Sequence, residues 1–320
     1  MIRVISLPYR KIYMARKAAV IPPYLEKGDL VGIVCPAGFM PVDKVSECIR
    51  VLFEVWGLKV KVGKTVGSQY HYFSGNDDER MADLQEMMDD PSVKAILCGR
   101  GGYGTGRIID RINFRKFSRQ PKWIIGFSDI TILHSHLLSR YNIASIHGPM
   151  ANAFNGEGYL NEYVRSLHRA LTGKKANYAG SLHPFNQTGK GRGILTGGNL
   201  SLVAHLIGTP SDVDTRGKIL FLEDIGEYLY NIDRMFYQLK RSGKLKGLAG
   251  LVLGKFSDTK DTEIPFGKTV EEIIRDIVKE YDYPVCYGFP VSHEKENLAL
   301  KTGGVYELTV SNKKLSLKEI

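Results

Sequence analysis

The chain has no C-x-x-C pair, no H-E-x-x-H helix and no clustered Cys/His set, so no metal is expected from any familiar ligand spacing. Its four cysteines, Cys35, Cys48, Cys98 and Cys286, are scattered. They read as buried free thiols, from which a reducing, cytoplasmic compartment is expected. Apolar runs near the length of a membrane span are missing, so no membrane partner is expected. Internal repeats and low-complexity tracts are missing as well. Acidic residues are absent from positions 1–21, where Arg3, Arg10, Lys11, Arg16 and Lys17 supply half of the net charge of +10. The remaining body is mildly basic and has no nucleic-acid-binding motif, so no nucleic acid is expected as a partner. The basic segment is not a secretory signal either, because its longest apolar run, Ala18-Ala19-Val20-Ile21, is short and meets Pro22-Pro23. Residues 1–21 are expected to form a basic N-terminal extension, with Met14 as an alternative start.

What is present is an alternation of strands and helices. Leu30–Cys35, Leu58–Val62, Val93–Cys98 and Trp123–Gly126 read as strands. Between them, Val45, Ile49, Leu52, Phe53 and Trp56 recur at helical spacing, and Met81, Leu84 and Met88 line a helix with an acidic start at Asp77-Asp78-Glu79. The pattern predicts an α/β domain with a parallel sheet over 22–150, a linker over 151–190 with one helix at Tyr163–Leu171, and a second domain over 191–320. In the latter, Lys218–Leu222 reads as a strand ending on Glu223. Gly250–Gly254 and Pro284–Phe289 are further strands, Ile232–Leu239 and Val270–Tyr281 are helices, and Val305–Val310 with Leu315–Lys318 form a hairpin. At 320 residues the chain can bury two cores.

Chemistry concentrates at loops beyond strands. In Gly126-Phe127-Ser128-Asp129 a serine sits on a strand-to-helix turn, which exposes its hydroxyl next to backbone N–H groups; Ile130 departs from the G-x-S-x-G form of that turn. Gly99-Arg100-Gly101-Gly102-Tyr103-Gly104 formally matches a dinucleotide fingerprint, but it follows a later strand and lacks an acid some twenty residues on. The same loop can bring N–H groups to a reacting carbonyl, as half of an oxyanion hole. His134 and His136 lie two apart on a predicted helix and face different ways. Glu223, at the end of an apolar run, needs a partner. His293 follows another strand. Ser128, Glu223 and His293 together allow a triad in which His293 takes the serine proton and Glu223 fixes the imidazole tautomer.

Four motifs carry a resemblance to the LD-carboxypeptidase family of serine peptidases (peptidase family S66), which includes the microcin C self-immunity hydrolases. They are Gly99–Gly104, Gly126-Phe127-Ser128-Asp129, Leu222-Glu223-Asp224, and His293 with Asn297 and Gly303; Gly197-Gly198-Asn199-Leu200 fits as well. The match runs over about residues 22–310 in family order. The resemblance implies a flavodoxin-like N-terminal α/β domain carrying the nucleophile Ser128, and a smaller β-rich C-terminal domain carrying Glu223 and the base His293. It also implies an oxyanion hole from backbone N–H groups near Gly102 and at Asp129, no cofactor, a homodimer, and removal of the terminal D-alanine from muropeptide tetrapeptides in cytoplasmic cell-wall recycling. Ser292 and Lys301 stand where the family often has glycine and proline. The immunity hydrolases carry a longer segment between the serine and glutamate motifs, so the short separation here argues against an aminoacyl-adenylate substrate. A nucleotide-binding protein using the glycine-rich loop is the reading of another class. Arg100, Tyr103 and Asn199 are the candidates for holding substrate, because they sit in motif loops near the expected cleft.

Overall fold

The computed structural model describes residues 18–320; most of the basic extension expected over residues 1–21 lies outside them. In chain order the strands are β1 (Leu30–Val34), β2 (Lys59–Val62), β3 (Val93–Cys98), β4 (Trp123–Gly126), β5 (Ser145–His147), β6 (Asn177–Gly180), β7 (Gly189–Asn199), β8 (Ile219–Ile225), β9 (Gly250–Ser257), β10 (Val285–Cys286), β11 (Leu300–Thr302), β12 (Val305–Val310) and β13 (Leu315–Glu319). They build two sheets, ordered β11-β5-β4-β3-β1-β2 and β10-β9-β8-β7-β12-β13-β6.

In the first sheet β2, β1, β3, β4 and β5 run parallel in the flavodoxin-like order. Apolar runs buried on both faces make this possible: β4 is buried at all four positions, and Val31, Ile33, Ala95, Leu97, Trp123 and Ile125 belong to one core cluster. In the second sheet β10, β9, β8 and β7 are parallel, and β12, β13 and β6 continue it antiparallel. The expected hairpin is β12–β13. The helix Leu229–Arg241 is longer than its apolar stripe suggested, and β10 is shorter than the apolar run around it. Phe53, read as part of a buried helical stripe, is 62% exposed. The helix Asp43–Arg50 passes into a wider turn over Val51–Val55, which rotates Phe53 out of the stripe.

Residues 151–190 serve both halves. Val164, Leu167 and Leu171 of the helix Glu162–Leu171 pack into the first core, while β6 closes the edge of the second sheet. The reverse crossing is made by β11, which comes late in the chain yet pairs antiparallel with β5 of the first sheet. Its Lys301 is buried and reaches Glu319 of β13 at 3.0 Å, with the ammonium 4.9 Å from the Tyr24 ring centroid. Ser145 and Thr302 share a hydroxyl hydrogen bond of 2.7 Å across the same strand pair. Lys301, in a place where the family often has proline, thus ties the two sheets by an ion pair.

Removing one partner of a buried pair strands the other charge. Glu319→Ala is therefore expected to lower stability by about 3–5 kcal/mol, and Lys301→Met with Glu319→Leu together by much less. Denaturant melts of the three proteins check this.

Candidate active site

β4 ends at Gly126, and Phe127 is extended (φ −149°, ψ −171°). Ser128 then takes φ +62°, the left-handed region in which a residue with a Cβ costs about 1–2 kcal/mol. Tertiary contacts hold it there. The buried Asp129 carboxylate accepts the Thr105 N–H at 2.8 Å, joining the turn to the end of the glycine-rich loop. Burial raises the Asp129 carboxyl above the usual carboxylate range, opposed by its bonds to Thr105. Gly101 must be glycine, because a Cβ there would lie 2.8 Å from the Ser128 Cβ and 3.1 Å from Oγ. The Gly101 carbonyl accepts the Gly38 N–H at 2.9 Å. In a trans peptide this turns the following N–H, that of Gly102, the other way, and it donates to no acceptor among the described residues. Arg80, fully buried, donates to the carbonyls of Pro36 and Gly104 and pins the β1 loop to the glycine-rich loop.

Glu223 is not the end of its strand: β8 continues to Ile225. The pairing of β8 with β9 shifts between Leu222 and Asp224, so a bulge lies opposite Glu223. Gly254 at that bulge has no room for a side chain, since a Cβ would meet the Val291 carbonyl at 2.2 Å and the Glu223 Cβ at 3.0 Å. Glu223 and Asp224 therefore point to opposite faces, both buried. Glu223 Oε2 meets His293 Nδ1 at 2.6 Å. Burial pulls the His293 pKa down, but that bond and the charges of Glu223 and Asp224 outweigh it and raise it above the ordinary value. Nδ1 is thereby occupied and Nε2 is the free ring nitrogen. Asp224 turns to Asn199 Nδ2 (2.7 Å) and the N–H groups of Ser201 (2.9 Å) and Ile225 (2.8 Å). Burial raises its pKa to about 6.

Ser128 and His293 line one cavity of about 1050 Å³, together with Gly101, Gly102, Arg100 and Tyr72. The Phe127 ring stands edge-on to the His293 ring at 5.0 Å, so the imidazole packs against the residue before the serine. Ser128 Oγ and His293 share no hydrogen bond, a separation that substrate commonly closes in unliganded enzymes. A serine hydroxyl, an imidazole oriented by a buried carboxylate and a free backbone N–H facing one cavity are the groups that acyl transfer uses. Of the residues read as substrate ligands, Arg100 lines the cavity, with one guanidinium N–H on the Phe39 carbonyl at 2.8 Å. Tyr103 and Asn199 do not line it. Tyr103 packs near Phe73, and Asn199 caps the helix Leu200–His205 while holding Asp224.

Sequence reasoning assigned no role to Arg80, which stands among the acids of a helix start, and quoted Asp224 only as part of the Leu222-Glu223-Asp224 motif. His134 and His136 have separate partners: His134 lies between Ser145 Oγ and the Gly126 carbonyl, and His136 meets Ser211 Oγ.

Residues 31–148 match the LD-carboxypeptidase N-terminal domain, and residues 192–308 match the LD-carboxypeptidase C-terminal domain. A Bacillus subtilis (strain 168) protein named "Probable murein peptide carboxypeptidase" is 37% identical, over 91% of this chain and 92% of its own. A solved muramoyltetrapeptide carboxypeptidase from Oxalobacter formigenes superposes with a TM-score of 0.82 at 30% identity, covering 91% of this chain and 98% of that one. The microcin C7 self immunity protein MccF, solved with aspartyl sulfamoyl adenosine, shares the fold with a TM-score of 0.79 at 23% identity, over 95% of this chain and 99% of its own. With both domains matched in order around one serine-bearing cleft, the chain belongs to the LD-carboxypeptidase family of serine peptidases.

Proposed function

We propose that this protein is a metal-independent serine carboxypeptidase that removes the terminal D-alanine from muropeptide tetrapeptides. The observation that carries the reading is the shared cavity of Ser128 and His293, with the base held by Glu223 at 2.6 Å. Ser128 Oγ attacks the carbonyl before the D-residue while His293 Nε2 takes its proton. The tetrahedral oxyanion is received by the N–H groups of Gly102 and Asp129, each such donor contributing about 3–4 kcal/mol. His293 returns the proton to the leaving amine, and a water activated by the same imidazole resolves the acyl-enzyme. Glu223 keeps Nδ1 protonated and stabilises the imidazolium. Arg100, whose guanidinium the glycine-rich loop itself brings to the cavity wall, receives the terminal carboxylate. A homodimer in the cytoplasm belongs to the same reading; the four buried free cysteines favour the compartment.

The overlap with MccF makes an aminoacyl-adenylate the second substrate to assay, against which the short separation of the serine and glutamate motifs argues. Turnover of the adenylate analogue in place of the tetrapeptide would overturn the muropeptide assignment.

Ser128→Ala is expected to abolish D-alanine release, by at least about 10⁴-fold in kcat. Ser128→Gly is expected to be equally inactive and to melt higher than Ser128→Ala, by up to about 1 kcal/mol, because it relieves the left-handed strain. Retained cleavage by either would remove Ser128 from the reaction.

The base must be neutral to accept a proton, so kcat/KM, which reports the unliganded enzyme, should rise with pH through a value above the ordinary 6.5 of histidine. Glu223→Gln removes the carboxylate that raises this value. It is expected to move the limb to lower pH and to cut kcat by about 10⁴-fold. An unmoved limb would detach Glu223 from the base.

Arg100→Ala should raise KM for the tetrapeptide by about 10- to 100-fold, the worth of one charged hydrogen bond. A C-terminally amidated peptide should be poor for the wild type and no poorer for the variant. A KM unchanged by Arg100→Ala would mean that another group takes the carboxylate.

A further inference from the structure

The cavity that holds Ser128 and His293 carries one more polar side chain that no step above uses, Tyr72. It is 54% exposed, and its hydroxyl has no hydrogen-bond partner among the described residues. The chain around it is nevertheless braced. Tyr70 and Phe73 close a two-residue turn by exchanging both backbone hydrogen bonds, at 2.8 and 3.0 Å. A turn this short takes a positive φ, and here it falls on His71 at +54°, a residue with a side chain. The Gly67 N–H donates to the Met40 carbonyl at 3.0 Å and the Ser74 N–H to that of Ala37 at 3.1 Å, so both ends of the segment are tied to the loop after β1. Under the turn, the Arg80 and Arg107 guanidinium groups lie 4.8 and 5.6 Å from the Phe73 ring centroid, and the Tyr72 ring meets Phe73 edge-on at 5.5 Å. A strained turn on a fixed base thus presents Tyr72 to the cleft.

Its hydroxyl arrives beside the glycine-rich loop. A Cβ placed on Gly102 would meet Tyr72 Oη at 2.8 Å and the Gly38 Cα at 3.6 Å; one placed on Gly38 would meet Arg100 Nε at 3.7 Å and the Gly102 Cα at 3.8 Å. The phenol and the guanidinium therefore converge on the touching backbones of Gly38 and Gly102. Phe39 holds both: its carbonyl accepts from Arg100 Nη1 at 2.8 Å, and its N–H donates to the Tyr72 carbonyl at 3.0 Å. The two acids on the cavity wall are already paired, Glu157 with Lys295 and Glu294 with Lys255. No free carboxylate of the chain competes for these donors. A neutral O–H next to a guanidinium suits an acceptor-only anion with two oxygens, which is what a carboxylate offers. The terminal carboxylate of a peptide lies one nitrogen and one Cα beyond the scissile carbonyl, so an oxyanion received at the Gly102 N–H leaves it close to this pair.

We propose that Tyr72 and Arg100 form a two-donor clamp on the terminal carboxylate, the phenol O–H donating to one oxygen and the guanidinium to the other, and that this clamp selects peptides with a free C-terminus. Tyr72 is then a specificity residue of the same reaction. Its hydroxyl contributes to binding in the ground state and the transition state alike, so its removal shows in KM and not in kcat.

The inference rests on the carboxypeptidase reading, and the test separates the two. Wild type and variants are assayed on the tetrapeptide as the free acid and as its C-terminal amide. Tyr72→Phe keeps the ring and removes only the hydroxyl, with thermal melting as the control on folding. It is expected to raise KM for the free acid by about 10- to 100-fold, the worth of a hydrogen bond to a charged group, with kcat within about twofold. On the amide its kcat/KM should match that of the wild type. Because both donors serve one carboxylate, Tyr72→Phe with Arg100→Ala should raise KM by less than the product of the single effects. An unchanged free-acid KM in Tyr72→Phe would overturn the clamp. So would an equal loss on acid and amide, which puts the hydroxyl on another part of the peptide, and a loss in kcat alone, which puts it on the oxyanion. Those outcomes leave the carboxypeptidase reading standing. A wild type that releases no D-alanine from the tetrapeptide overturns that reading and the clamp with it.

Discussion

Everything at the cleft depends on three residues of backbone. Leu300, Lys301 and Thr302 leave the sheet that carries Glu223 and pair with β5, next to the strand that ends in the Ser128 turn. Without that pairing His293 would hang from one domain and Ser128 from the other. Relative domain motion is the default across a modest interface. The crossing strand replaces it with ladder hydrogen bonds, a hydroxyl pair at Ser145 and Thr302, and a buried ion pair at Lys301 and Glu319. The distance from His293 to Ser128 then becomes a property of one sheet.

The serine side solves a different problem. Its turn is held in a left-handed conformation that the local sequence disfavours, and the compensation comes from outside the turn. Asp129 reaches to Thr105, Gly101 allows the close approach, and Arg80 gathers the loop carbonyls beneath. The acid side is solved by a bulge. Two neighbouring carboxylates in β8 face opposite ways, one to the imidazole and one to the Asn199 cap. Their adjacency in sequence hides that they do unrelated work.

The parallel sheet was legible because its inner strands are apolar on both faces, and Ser128, Glu223 and His293 because each follows an apolar run. The joining pieces were not. β6 and β11 are short, and Asn177, Gly180, Lys301 and Thr302 give them no alternation to read; only long-range partners make them strands. The same holds for Glu223, whose strand runs on through Asp224 because β9 supplies the pairing across a bulge. Asn199 and Tyr103 stand in motif loops, yet the nearness of a loop to a cleft does not say which way a side chain turns. Phe53 fits a helical stripe until one wide turn changes the count.

The position of β11 in the chain has a consequence for biosynthesis. β5 is made early and stays an open sheet edge while more than half of the protein is still to be translated, the situation in which unpaired edges invite wrong partners. Its cover arrives only when Leu300–Thr302 has left the ribosome, and the Lys301 ammonium waits for Glu319 of β13. A chain that stops short of β11 thus carries the serine on a nearly finished sheet, without the strand that anchors the His293 loop beside it. Topology alone makes the seating of His293 beside Ser128 wait for a strand that comes late in the chain.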